Sequence, residues 1–415
     1  MSEPLFTNDA IVFGLLMLSL AFVFYTSSLN NKIWKNFYKV FPPLLMAYVI
    51  PSLLNSFGLI SSKHSELYTM AKLYLLPASL VLMTLSIDLK AIVNLGPKSI
   101  AMFLTGTVGI IIGGPIAILI VSMFSPETVG GVGPDAIWRG LTTIAGSWIG
   151  GGANQAAMLE IYGFNQEKYG SMVLVDIIVA NIWMAVLLMG IGKTTKIDKW
   201  LNADSSAIEE LKTKVANYTA SISKMPTLKD YMLILGVGFG VTGLSHVFAD
   251  RIPQWLIELS PSLEESSLSS GFFWLIVIST TLGLIMSFTP AKNLEGAGAS
   301  KIGSVFIYIL VATIGMKMNV LQIFDNPGLL FVGLIWMSIH VLLLLLVAKL
   351  IRAPYFFLTV GSQANVGGAA SAPIVAAAFS PSLAPVGVLL AVLGYAVGTY
   401  GAMFSAYLME LASGF

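Results

Sequence analysis

Two stretches decide how this chain folds: Gly146-Ser147-Trp148-Ile149-Gly150-Gly151-Gly152-Ala153-Asn154-Gln155-Ala156, and Gly361-Ser362-Gln363-Ala364-Asn365-Val366-Gly367-Gly368-Ala369-Ala370-Ser371-Ala372. Each sets consecutive glycines, flanked by small hydroxyls and amides, inside a long apolar run. Glycine costs a helix about 1 kcal/mol relative to alanine, so clustered glycines mark a break. A break at membrane depth frees backbone N–H and C=O groups, which survive there only against protein, water or ligand. The interrupted segments run over 138–162 and 353–379, and an arginine stands at or beside the start of each, Arg139 and Arg352.

The surroundings of these breaks are lipid. Of the 415 residues 56% are hydrophobic and 10% charged, and the mean hydropathy is +0.84, whereas soluble domains carry about 25% charged residues. Apolar runs near the ~20 residues needed to cross a bilayer lie at about 10–29, 38–60, 69–87, 99–124 and 169–191, and again at 230–249, 271–290, 301–318, 328–350 and 384–408. The opening run has no preceding Lys or Arg and reads as a retained first span rather than a signal peptide. There is no cysteine, so disulfides, thiolate metal sites and cysteine nucleophiles are excluded. The lysines are scattered over loops and form no stripe for nucleic acid.

The order of elements occurs twice, which divides the chain into an N-terminal repeat (1–192), a polar cytoplasmic linker (193–229) and a C-terminal repeat (230–415). Thr84 to Pro97 lies against Thr313 to Pro327, each closing a third span and opening a fourth. Paired broken segments in corresponding positions are the sequence mark of transporter binding sites. If both dip in and return, each half has five crossings and the second is inverted. Positive charge favours this scheme: 16 of the 22 Lys and Arg residues then lie inside, leaving Lys63, Lys72, Arg139, Lys168, Arg251 and Lys317 outside. The expected fold is all-α and polytopic, with about ten crossings, two re-entrant hairpins and both termini outside.

The candidate substrate-binding residues surround the breaks: Ser147, Gly151, Gly152, Asn154 and Gln155 in the first segment, and Ser362, Gln363, Asn365, Gly367, Gly368 and Ser371 in the second. Their neutral donors and acceptors can replace water around a polar solute, or they tie one hairpin arm to the other. Helix N-termini meeting there suit a carboxylate, and carbonyl ends suit a cation. Asp176 is the acidic residue read as lying well inside a span; intramembrane carboxylates are costly and usually functional. It is the candidate ligand of a coupling ion, Na⁺ or H⁺, with Asn181 and Thr399 as helpers. Asp88 and Lys317 read as interfacial caps near opposite faces, and His246 and His340 as packed or gating residues without metal-ligand spacing. No catalytic residue, resident metal or cofactor is expected.

On Gly150-Gly-Gly-Ala-Asn-Gln-Ala-Ala-Met158 and Gly361-Ser-Gln-Ala-Asn-Val-Gly-Gly-Ala-Ala-Ser371, nearly the whole chain resembles the bacterial membrane family called domain of unknown function 819, the YjcL-like proteins. More distantly the paired Gly-Gly hairpins are similar to those of sodium/glutamate and citrate symporters. That resemblance implies an elevator mechanism within a homodimer of the bacterial cytoplasmic membrane, but no particular substrate. The function expected is Na⁺- or H⁺-coupled symport of a small polar or anionic organic solute. A membrane-embedded enzyme and a passive channel or sensor are the alternatives, and the interior lacks the convergent His, carboxylate and Arg residues an enzyme would need.

Overall fold

The computed structural model describes residues 4–203, 208, 225–264, 267–318 and 326–414. Most of the expected polar linker, residues 204–224 apart from Ile208, therefore falls outside the described residues. The principal helices are α1 (Asp9–Ser28), α2 (Lys32–Val40), α3 (Pro43–Ser56), α4 (Leu67–Leu85), α5 (Pro97–Ser122), α6 (Ile137–Tyr162), α7 (Tyr169–Ile191) and α8 (Thr194–Leu201). They continue with α9 (Leu228–Ala249), α10 (Gly271–Met286), α11 (Ala299–Gly315), α12 (Gly328–Leu350), α13 (Tyr355–Val366), α14 (Gly368–Phe379) and α15 (Ala384–Ser413).

Among the described residues there is no strand, and seven helices are long and apolar enough to cross a membrane. The count reaches nine if two bent pairs, Lys32–Tyr38 with Pro43–Ser56 and Gly271–Met286 with Pro290–Ala297, each form one span. The ten crossings expected from sequence thus become seven to nine by length and composition. The difference is α11, whose 17 residues reach about 25 Å at 1.5 Å per residue, short of a ~30 Å hydrocarbon core. The chain is a multi-pass membrane protein.

Both glycine-broken segments are helical hairpins. Within α6 the chain turns at Gly151, whose φ of 76° lies in the left-handed region that glycine adopts without penalty. As a straight helix its two ends would stand about 35 Å apart. Instead Arg139 Nη1 donates to the Tyr162 carbonyl at 2.6 Å, and the Trp138 and Tyr162 rings meet edge to face at 5.8 Å. The second hairpin is α13 and α14, which turn at Gly367 and Gly368, the latter at φ 54°. Phe379, the last residue of α14, rests on Tyr355 and Phe356, the first two of α13.

The two hairpins enter from opposite ends of the bundle, and α7 measures this. The first hairpin closes beside the start of α7, where Lys168 pairs with Asp135 at 2.9 Å and Asn165 N–H donates to the Pro134 carbonyl. The second opens beside its other end, where the Tyr355 hydroxyl donates to the Leu187 carbonyl at 2.9 Å and the Tyr355 N–H to Asp198 at 2.7 Å. Between them lie the 23 residues of α7, about 34 Å.

Their tips converge on the middle of α15, and glycine makes the convergence possible. A Cβ on Gly398 would stand 2.5 Å from the Gly150 Cα, and one on Gly394 would stand 2.7 Å from the Ile149 carbonyl and 3.7 Å from that of Ala364. One helix therefore touches both hairpins within two turns.

Two prolines interrupt α4 and α5, and both interruptions are repaired from a neighbouring helix. Pro77 has no N–H to offer the carbonyl four residues back, Leu73. The helix widens into a π turn over Ala71–Leu75, and His246 Nε2 donates to that carbonyl at 2.9 Å. Pro115 likewise leaves the Ile111 carbonyl, which receives the Ser405 hydroxyl of α15 at 3.0 Å. In lipid such carbonyls must find donors on adjacent helices, so each proline also fixes a helix pairing. His246, expected from sequence as a packed or gating residue, here repairs a helix break.

Candidate functional site

The first hairpin is held at mid-depth by a carboxylate. Asp176 lies two turns into α7 and is 4% exposed. Trp148, on the incoming arm, donates its indole N–H to Oδ1 at 2.7 Å; Gln155, on the returning arm, donates its amide to Oδ2 at 3.0 Å. Ser147 lies close to the same carboxylate. Two neutral donors thus hold one buried acid, and no Lys or Arg pairs with it among the described residues. Because a carboxylate only accepts, Gln155 must turn its NH₂ toward Asp176. Its Oε1 is then left buried without a donor.

The second hairpin presents a matching glutamine. Gln363 Nε2 donates to Ser371 Oγ at 2.7 Å across the turn, and its Oε1 is also buried and unpartnered. Each hairpin therefore carries, within a turn or so of its glycine break, one amide oxygen able to accept from a ligand or to contact a cation. A buried polar atom without a partner is uncommon enough in folded proteins to need a reason.

The two candidate asparagines have a different duty. Asn154 Nδ2 donates to the Gly150 carbonyl at 2.9 Å, and its Oδ1 accepts the Thr399 hydroxyl of α15. Asn365 Nδ2 donates to the Gly361 and Phe103 carbonyls, both at 2.9 Å, and its Oδ1 accepts the Thr107 hydroxyl of α5 at 2.7 Å. In both, the amide bonds the carbonyl four residues earlier and takes a threonine from another helix. Their hydrogen-bonding capacity is used in docking the hairpins.

Ser362 is similarly engaged. The His340 ring, fully buried on α12, donates from Nδ1 to the Gly106 carbonyl at 2.9 Å and faces Ser362 Oγ with Nε2 at 2.8 Å; Trp183 Nε1 donates to the same oxygen at 2.8 Å. A neutral imidazole with its proton on Nδ1 satisfies every group in this chain, since Ser362 then donates to Nε2 and accepts from Trp183. A histidine that looked isolated in the sequence therefore bridges α5 to the second hairpin.

Of the expected ion ligands, Asp176 stands with the first hairpin, and Thr399 joins Asn154 and Thr280. Asn181 is turned away from Asp176. Five residues advance 140° beyond a full turn around the helix, and its amide bonds the Ile177 carbonyl at 2.8 Å.

A second acid escaped the sequence reading. Glu160, near the end of the first hairpin, has a side chain only 4% exposed and pairs with Lys72 Nζ at 2.7 Å. It also accepts from Gln166 Nε2 at 3.0 Å and from the Tyr68 hydroxyl. Lys317 Nζ sits 3.5 Å over the Tyr68 ring, and partial burial pulls its pKa below the ordinary lysine value. Glu160, Gln166 and Lys317 border an open cavity of about 720 Å³ whose lining also includes Ser62, Lys63 and Asn165. Glu160 lay at the edge of an expected segment, and its partners are some ninety residues away in sequence.

Several of the charges gather at two ends of the bundle. Lys72, Arg139, Lys168 and Lys317 cluster around the mouth of the first hairpin. At the other end Lys292 approaches Asp88 at 3.7 Å, Lys98 donates to the Arg352 carbonyl at 3.2 Å, and Lys349 covers Trp200. Asp88 also caps the short helix Leu89–Val93 through the Ala91 N–H, as expected of an interfacial cap. At the first end, hydrogen bonds from Lys168 and Asn165 hold the Asp135 carboxyl below the usual aspartate range.

Comparison with known proteins agrees with this anatomy. The chain is similar to the uncharacterized membrane protein YjcL of Bacillus subtilis (strain 168), at 25% identity over 360 residues, which cover 83% of this chain and 85% of that one. Residues 14–411 match the family described as protein of unknown function, DUF819. With nearly its whole length matched, from the first span to the last helix, the chain belongs to the DUF819 family.

Proposed function

We propose that this protein is a secondary carrier that moves a small polar or anionic organic solute by symport with Na⁺ or H⁺. The observation that supports it most is the pair of helical hairpins that enter from opposite ends, meet at α15 and each bury an unpartnered glutamine oxygen near the turn. Such tips offer free peptide groups and amides at mid-depth, where a solute stripped of water needs partners. Asp176 supplies the buried negative charge for the coupling ion, and Ser147 and Gln155 link its occupancy to the shape of the first hairpin.

In this reading the two halves are inverted repeats of five spans and one re-entrant hairpin each. The hairpins and their flanking helices form the moving part of an elevator within a homodimer of the cytoplasmic membrane. The test is counterflow in proteoliposomes loaded with candidate amino acids, short peptides and carboxylates, with and without a Na⁺ or pH gradient. Saturable exchange of one labelled solute that responds to a gradient is the expected result. Flux that rises without saturation would instead identify a pore.

A further inference from the structure

The pair Lys72–Glu160, its carboxylate buried and its ammonium 28% exposed, joins α4 to the returning arm of the first hairpin. Lys72 rides on the π turn of α4, the segment that Pro77 distorts and His246 repairs. Glu160 belongs to the returning arm of the first hairpin. Around their 2.7 Å contact, Tyr68 and Gln166 complete the carboxylate's donors, and Phe272 lies 4.7 Å beneath the ammonium. A buried ion pair adds little net stability over an apolar pair of the same shape, yet removing one partner strands the other charge. Its best-attested use is to fix one arrangement against another. Glu160 also lines the 720 Å³ cavity, whose wall includes Leu159 and Lys317.

We infer that Lys72–Glu160 is the bolt of a gate at this end of the molecule: closed, it clips the returning arm of the first hairpin to α4; open, it frees that arm and deepens the cavity toward the hairpin tip. The inference rests on the carrier reading only for the purpose of the movement. Lys317 lines the cavity from which a solute would reach Glu160, and Lys72 sits on a π turn whose backbone departs from regular α geometry.

The chain has no cysteine, so Leu159→Cys places a single reporter in the cavity wall. The measurement is its labelling rate by a water-soluble maleimide in purified, detergent-solubilised protein, which needs neither substrate nor gradient. Failure here and failure of the transport assay are therefore distinguishable. Glu160→Gln and Lys72→Met are each expected to raise the rate about tenfold, as a shift toward the open population would. The exchanged pair, Lys72→Glu with Glu160→Lys, is expected to bring the rate most of the way back. Unchanged labelling in both neutral variants, or an exchanged pair that labels as fast as the single variants, would overturn the inference. Glu160→Asp keeps the charge but withdraws it by one methylene, and an intermediate rate is expected. A rate equal to that of the parent would count against the bolt even where the neutral variants fail to fold.

Discussion

Trp148 and Asp176 are joined by an indole N–H donated to Oδ1 at 2.7 Å, and this bond fastens the incoming arm of the first hairpin to α7 while Gln155 fastens the returning arm to the other oxygen. The hairpin is therefore closed around a single carboxylate, and any ligand that draws on Asp176 must alter both arms.

Asp176→Asn tests this directly. The amide oxygen can still accept from Trp148, and its NH₂ can donate to Gln155 once that amide flips to present Oε1, so the hairpin contacts are kept while the buried charge is lost. Counterflow should fall at least about tenfold, equivalent to 1.4 kcal/mol in the barrier, and lose its dependence on the driving ion. Exchange that remains fully ion-dependent would remove Asp176 from coupling.

Glycine contacts at the hairpin tip should rank by geometry. Gly398→Ala brings a Cβ within 2.5 Å of the Gly150 backbone, whereas at Gly152 the nearest atom is a flexible methyl of Ile307 at 3.6 Å. Thermal melts should show Gly398→Ala destabilised by about 1–3 kcal/mol through overpacking, with Gly152→Ala near the parent. Equal melting of the two would mean that α15 does not pack on the tip this closely.

Pro77 and His246 should be coupled. His246→Leu removes the donor to the Leu73 carbonyl, and in a Pro77→Ala background the restored N–H can replace it. A double-mutant cycle of unfolding free energies should give a coupling of about 0.5–1.5 kcal/mol, the worth of one hydrogen bond. Additive effects would show that the imidazole only packs.

Asn365 and Thr107 should matter for stability rather than for solute choice. Asn365→Ala removes bonds to Gly361, Phe103 and Thr107 together, and melting should report a loss of about 2–4 kcal/mol, several buried bonds at about 1 kcal/mol each plus stranded partners. Thr107→Val should lose less. Apparent affinity for the solute should change little in Thr107→Val, and a large shift in KM would return this pair to the binding site.

Asp135 carries a modest pH effect. Its folded pKa is depressed by Lys168 and Asn165, so its contribution is present above the unfolded value near 3.9 and is lost as pH falls through the lower, folded one. The carboxylate is about half exposed, at 45%, so screening limits it to under about 1 kcal/mol. Asp135→Asn should therefore lower the neutral-pH melt slightly and coincide with the parent at the acid end, where the carboxylate's contribution is already lost.

The linear sequence by itself determined the lipid environment, the positions of the spans and the two breaks, because hydropathy and glycine content act locally and need no partner. Gly151 and Gly367–Gly368 turn where the glycine clusters placed the turns. Tertiary structure alone decided what the polar groups do. Asn154, Asn365 and Ser362 look like solute ligands in sequence but are engaged with Thr399, Thr107 and His340, partners 22 to 258 residues away. Asn181 faces away from Asp176 because helical phase, not proximity in the chain, sets direction. Glu160 became visible only when folding brought Lys72 and Tyr68 against it. A buried polar atom is defined by the donor that reaches it, and in a helical membrane protein that donor sits on another helix.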